Sequence, residues 1–492
     1  MTRNRSRPTG KRSRFKWVIG TPYFVQGTTS LVEVPTLYFI KFGLEMGDAG
    51  GQLFDSLRNG GWFIKPLWGY VSDRVPLFGY RRKSWFVLMA LLAVVFWVLN
   101  AVLIAAGLRI PIVFLVTFNL AFGTYAFVDV VGDALMVTRG REERRVGSFV
   151  IFQWTVLALA STGAALLGGW LQEKVDQEEV SLAFIFLITG VPPLFTAAVG
   201  WRYIDERKVT SGGRQRGSGG GAWRELRRAL RDTRTALLGN RTLLILILFI
   251  FFWKFSPSIG YIERSYLIDR RGFEPATFGV VISVGSFTFL LSLLVYRQVV
   301  RRLRWIQWHH YLYAMVAIAV AYFPLSFYLY LDPDHPWWRA LLLLIPDAWQ
   351  LPAGWNRYEG FRLAAEVILG FATIPAFVIP LTIAGETVRI ERAGVGYALI
   401  TALSNVTNMF EGAVGAGLYR IFERPELRWA LEAFRGSPFD IAGVADERTL
   451  ILQIFVYIGL FFTLLTLPFL WLLQRELRRS RIAIDLAGED DG

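Results

Sequence analysis

The residues of this sequence that could do chemistry are ionisable side chains set inside long apolar runs. Glu33, Lys41, Asp55, Arg58, Lys65, Asp129, Asp133, Lys254, Glu263, Arg264, Glu366, Glu386 and Glu411 all interrupt such runs. Left in hydrocarbon, each would cost at least ~2.5–3.5 kcal/mol, so each needs a partner or a water-filled cavity. So many point to a polar path through the middle of a bundle.

Spacing sorts them further. Asp129 and Asp133 stand four apart and share one helix face. Asp133, one turn from the expected cytoplasmic end, reads as a gate residue held by Arg81, Arg82 or Arg141, or as part of a site. Asp129 lies deeper and fits a gate or a proton-coupling site equally. Asp73 and Arg74 read as a latch on the inward end, and Glu386 is the matching acid of the second half. Lys254, inside Phe-Phe-Trp-Lys-Phe, either pairs with a carboxylate of a facing helix or meets an anionic substrate group. Arg58 and Lys65 fall two turns apart on one side of one predicted helix, and Asp55 can pair with Arg58 at i,i+3. Glu33 has no charge within a turn of its own helix. A desolvated carboxylate suits proton coupling; the alternative is a pair with Arg58 or Lys65.

The elements that must position these groups are membrane spans. Of 492 residues 54% are hydrophobic, 15% aromatic and 19% charged, below the ~25% charged of a soluble domain. A helix needs roughly 20 apolar residues to cross a bilayer. Twelve runs qualify: 17–42, 52–72, 84–106, 111–137, 147–170, 181–203, 242–265, 276–298, 308–331, 361–388, 394–418 and 449–473. Backbone groups in lipid must bond internally, so each run is expected to be a helix. The first run is too long for a secretory signal and is read as a retained span.

Most Lys and Arg of the connections fall on one face when the N-terminus is placed inside, so both termini are expected to be cytoplasmic. The net charge of +14 is thereby explained by orientation, without nucleic acid as a partner. The predicted organisation is a basic tail (1–16), a six-helix bundle (17–203), a linker (204–241), a second six-helix bundle (242–473) and a cytoplasmic tail (474–492). The linker combines a flexible Ser-Gly-Gly-Arg-Gln-Arg-Gly-Ser-Gly-Gly-Gly tether with an amphipathic helix for the inner leaflet.

Cysteine is absent, which excludes disulfides, thiolate metal sites and Cys nucleophiles. No Gly-x-x-x-x-Gly-Lys-[Ser/Thr] loop or Gly-x-Ser-x-Gly elbow occurs, and His309 and His310 are adjacent, so no ATPase, hydrolase, cofactor or metal site is predicted.

At the inner end of the second run stand Ile64-Lys65-Pro66-Leu67-Trp68-Gly69-Tyr70-Val71-Ser72-Asp73-Arg74 and then Pro76-Leu77-Phe78-Gly79-Tyr80-Arg81-Arg82-Lys83. This segment resembles the signature loop of the major facilitator superfamily and, within it, the folate–biopterin transporter family. Phe24-Val25-Gln26-Gly27, Asp129-Val130-Val131-Gly132-Asp133-Ala134-Leu135, Pro257-Ser258 and Asn405 are similar to that family as well. The resemblance implies an all-α membrane protein with 12 transmembrane helices in two six-helix pseudo-repeats. It implies a secondary transporter, not an enzyme, that moves a folate- or pterin-like anion by alternating access with proton coupling. Gln26, Asn405 and Asn408 then line the cavity, though Asn also joins helices without any substrate. Glu33 and Asp129 are the expected proton carriers, with Arg58, Lys65 and Lys254 receiving the anion. Asp73, Arg74, Arg81, Arg82, Asp133 and Glu386 form the gate. A monomer in the plasma (inner) membrane is expected. Two rivals stand beside this: the same fold carrying a cell-wall fragment, peptide or amphipathic lipid, and a non-transporting assembly factor or receptor.

Overall fold

The computed structural model describes residues 9–143, 146–206, 208, 241–303, 305–344, 354–387, 393–443 and 446–480. The predicted linker helix falls outside them, as do the side chains of Asp73, Arg74, Arg141, Glu386, Asn405 and Asn408.

The helices of the first part of the chain are α1 (Thr9–Thr28), α2 (Glu33–Tyr38), α3 (Asp48–Leu57), α4 (Lys65–Arg74) and α5 (Lys83–Ala105). They continue as α6 (Pro111–Glu143), α7 (Val146–Asp176), α8 (Leu182–Ile188) and α9 (Val191–Tyr203). After the linker come α10 (Arg241–Lys254), α11 (Gly260–Arg271), α12 (Pro275–Arg302), α13 (Trp308–Ser326) and α14 (Pro336–Leu344). The last are α15 (Arg357–Thr387), α16 (Ala393–Phe422), α17 (Arg428–Phe434) and α18 (Glu447–Ser480). Among the described residues the only β feature is an isolated Leu77–Tyr80 bridge.

Seven helical stretches there are long and apolar enough to cross a membrane: Lys83–Ala105, Pro111–Gly140, Ser148–Asp176, Leu182–Tyr203, Pro275–Val300, Trp308–Leu329 and Glu447–Ser480. They coincide with seven of the predicted spans. Three of the other five are corrected from continuous to interrupted helices. Span 17–42 becomes α1, a 3-10 turn at Thr29–Val32, α2 and a π-turn at Phe39–Gly43. Span 52–72 becomes α3 and α4 with a 3-10 turn between. Span 242–265 becomes α10 and α11, separated at Pro257. The physical reasons are local. Thr28 and Thr29 turn their hydroxyls back onto the carbonyls of Val25 and Gln26 at 2.8 and 2.6 Å, a habit that bends membrane helices. Asn59-Gly60-Gly61 weakens the second span, and Asn119 donates to the freed Leu57 carbonyl at 2.9 Å. Pro257 cannot donate to the helix ladder.

By contacts the chain groups into two compact units. Unit 1 comprises Met1–Glu45, Leu57–Gln215 and Glu274–Leu290; unit 2 comprises Met46–Ser56, Arg216–Phe273 and Leu291–Gly492. In unit 1 the core joins α1, α5, α6 and α9 through Val18, Phe86, Ala90, Phe127, Val131 and Ala197. Here α1 and the 3-10 turn that follows it lie close on α7: a Cβ at Gly27 would strike the Leu157 carbonyl, and one at Gly168 the Leu31 carbonyl. Small residues at such crossings let backbones approach. In unit 2, Leu246 and Phe249 of α10, Leu312 and Met315 of α13, Ile379 and Ile383 of α15, and Leu470 and Leu473 of α18 form one core.

Candidate functional site

The interruptions in unit 1 aim polar side chains inward. Glu33 opens α2, where the helix restarts, and Arg58 follows the last residue of α3; the two meet at 2.6 Å. Arg58 is 4% exposed and lies over the Phe122 ring. Lys65 opens α4 and reaches Asp129 of α6 at 2.5 Å, with Asp129 2% and Lys65 19% exposed. Gln26 of α1 donates to the other Asp129 oxygen at 2.6 Å. Both carboxylate oxygens are therefore occupied, one by a cation and one by an amide. Lys65 also sits over the Trp62 ring, 4.6 Å from its centroid.

One turn further along α6, Asp133 accepts from Tyr23 at 3.2 Å and Gln153 at 3.4 Å. Arg82, one of the arginines expected to hold Asp133, donates to the Ala134 carbonyl and the Thr138 hydroxyl, at 3.4 and 3.3 Å. Backbone N–H groups of Arg81, Arg82 and Lys83 converge on the Glu206 carboxylate at 3.1, 3.0 and 2.8 Å. Glu206 thus caps the start of α5, where a carboxylate complements the helix dipole.

Unit 2 has its own polar centres. Lys254 ends α10, and Glu411 of α16 is its electrostatic partner. Beside them the Ser258 amide donates to the Glu411 carbonyl at 2.9 Å. Gly415 leaves room for this, since a Cβ there would strike the Ser258 carbonyl. On α15, Arg362 holds Glu366 at 2.7 Å and Glu263 of α11 at 3.5 Å, and Tyr330 donates to Glu263 at 3.3 Å. Arg264, the neighbour of Glu263, turns to Asp55 at 3.0 Å.

Sequence reasoning singled out Glu33, Gln26, Arg58, Lys65 and Asp129; in unit 1 Glu33 pairs with Arg58, and Asp129 with Lys65 and Gln26. It placed Arg58 and Lys65 on one continuous helix; they stand on either side of an interruption, each with its own acid. It missed Tyr23, Gln153, Arg362 and Glu206. Tyr23 and Gln26 at i,i+3, and Arg362 and Glu366 at i,i+4, were the available signals.

Solved structures share the fold. The POT family transporter PepTSo superimposes with a TM-score of 0.64 over 94% of this chain and 99% of that one, at 12% identity. The nucleoside transporter NupG gives 0.55 over 94% and 99%, at 13% identity. The chain is an all-α, multi-pass membrane protein with the major facilitator fold. It belongs to the BT1 family, the folate–biopterin transporter family, whose model matches residues 26–326. The "Folate-biopterin transporter" of Synechocystis is 30% identical over 284 residues, 57% of this chain and 53% of that relative. "Folate transporter 1" of Plasmodium falciparum is 24% identical over 281 residues, 55% and 50% of the two chains. The chain spans about half the length of these curated relatives.

Proposed function

We propose that this protein is a secondary transporter that moves a small organic anion of folate or pterin type across the membrane by alternating access, coupled to protons. One observation carries the reading: in unit 1, Lys65 and Gln26 hold Asp129 while Arg58 holds Glu33, all within hydrogen-bonding distance and largely buried. These are reversible pairs. A cargo carboxylate competes with Glu33 for the Arg58 guanidinium, which suits planar, bidentate recognition. The release of Glu33 from Arg58 is the step assigned to proton coupling, so that anion and proton enter together. Asp129 is the carboxylate suited to the two N–H donors of a pterin edge, with Trp62 beside Lys65 as a stacking surface. Membership of the BT1 family and the names of its relatives support the cargo class.

In the second bundle the same anion-binding role is proposed for Lys254, Asn405 and Asn408. Asp73, Arg74, Arg81, Arg82, Asp133 and Glu386 are proposed as the cytoplasmic gate, with 17–203 and 242–473 as the two moving halves. Both termini are cytoplasmic in this reading, and the protein is a monomer of the plasma membrane. Thermal unfolding of the purified protein tests the cargo. Folic acid or biopterin at a hundred times its dissociation constant adds about 2.7 kcal/mol of stability, and Arg58→Ala weakens the folate response. A protein that responds to dipeptides and to no pterin would overturn the reading.

A further inference from the structure

Lys254 is the last residue of α10, and residues 255–259 after it are not helical. Where a buried helix restarts, its first N–H groups need acceptors from outside the helix. Ile259, the residue before α11, has no side chain able to supply one. Ser258 Oγ accepts from the Gly260 N–H at 3.4 Å. The next two N–H groups, those of Tyr261 and Ile262, both donate to Gln52 Oε1, at 2.9 and 3.5 Å. Glu263 then resumes the helical pattern by donating to the Ile259 carbonyl at 2.8 Å. The restart of α11 is thus capped by a side chain of α3, 209 positions away in the chain.

Gln52 also meets the other wall of the break. It is 3% exposed, and its Nε2 donates to Ser56 Oγ at 3.2 Å. Both side chains lie against Gly412 of α16, where a Cβ would strike Ser56 Oγ and stand 3.1 Å from Gln52 Nε2. The residue before that glycine is Glu411. Its carbonyl accepts from the Ser258 N–H at 2.9 Å, inside the break, and its carboxylate is the electrostatic partner of Lys254. One buried amide therefore fixes where α11 begins relative to α16, and the adjoining carbonyl fixes the break itself. All of these groups belong to unit 2.

We infer that Gln52 is a positioning residue for anion binding by Lys254: by capping α11 and abutting α16 it holds the break in the register that keeps Lys254 beside Glu411. A leucine at position 52 leaves two buried N–H groups unpaired, a costly state, and the start of α11 shifts to recover acceptors, drawing the end of α10 with it. A glutamate there accepts from the same two N–H groups and complements the helix dipole. Gln52 touches no cargo and acts only through Lys254. The inference rests on the anion-binding role proposed above for Lys254 and refines it.

The test needs no cargo, so its failure is distinct from failure of the transport reading. Acetic anhydride labelling of the full-length protein in lipid nanodiscs, read by mass spectrometry, reports the reactivity of Lys254 relative to Lys174. Gln52→Leu should raise Lys254 labelling severalfold with Lys174 unchanged, and Gln52→Glu should return it to near the wild-type value. A role in stability alone would lower the unfolding midpoint of Gln52→Leu and leave Lys254 labelling unmoved. Should Gln52→Leu not fold, hydrogen exchange of the wild type decides: the Tyr261 and Ile262 amides should be protected. Unchanged Lys254 labelling in Gln52→Leu, labelling in Gln52→Glu as high as in Gln52→Leu, or fast exchange at Tyr261 and Ile262 would overturn the assignment.

Discussion

A carboxylate as deep as Asp129 has no hydration to fall back on, so its cation is a structural necessity as well as a chemical one. Lys65→Ala leaves that charge buried and unpaired, and removal of one partner of a buried pair costs about 3–5 kcal/mol. Thermal or denaturant unfolding of the purified variant should register a loss of that size. The double variant Lys65→Met with Asp129→Asn should recover much of it, because an uncharged replacement of similar shape removes the desolvation cost as well. Equal instability of single and double variants would mean that the pair contributes packing alone. Of this residue-scale picture the sequence made part legible. Asp129 stands out because its flanks are apolar, and Glu33 for the same reason. Their partners are 64 and 25 positions away in the chain. No periodicity encodes such pairings; they follow from where two interrupted helices stop and restart.

At the scale of the element, the interruptions and the close crossings do the positioning. A hydropathy window averages across a break of three or four residues, so 17–42, 52–72 and 242–265 read as continuous runs although each folds as separate pieces. The breaks were nonetheless written locally, in Thr28-Thr29, Gly60-Gly61 and Pro257. The crossing of α1 and its 3-10 turn with α7 yields a contrast within one helix. Gly168→Ala drives a Cβ into the Leu31 carbonyl, and overpacking of this kind costs about 1–3 kcal/mol. Gly163→Ala meets nothing within 4 Å and should gain about 0.5–1 kcal/mol from helix propensity. Unfolding midpoints of the two variants should move in opposite directions. Glu206 gives a second element-scale expectation. Glu206→Ala uncovers the N–H groups of residues 81–83 at a cost of about 0.5–2 kcal/mol. Hydrogen exchange should accelerate at the start of α5 and leave the middle of α6 unchanged.

For the whole molecule, composition and run length were sufficient to indicate an all-α membrane protein, and the seven stretches able to span agree with that. The expected orientation came from the distribution of Lys and Arg, a statistical property of the loops that folded contacts neither require nor encode, and the expected division into halves from the long connection 204–241 between the sixth and seventh runs. Cargo was the least legible property. Arg58, Lys65 and Lys254 suit any organic anion, and transporters as different as PepTSo and NupG share this fold at 12–13% identity. The narrowing to folate or pterin comes from the BT1 family match over residues 26–326, joined to a carboxylate that amide and ammonium donors already hold.

Uptake of radiolabelled folate into proteoliposomes containing the purified protein tests the central claim most directly. With the lumen more alkaline than the outside, the wild type should concentrate folate, collapse of the pH gradient should abolish concentration, and Glu33→Gln and Asp129→Asn should each fail to concentrate it. Folate uptake no greater than in protein-free vesicles, or uptake indifferent to the gradient and to both substitutions, would contradict the account.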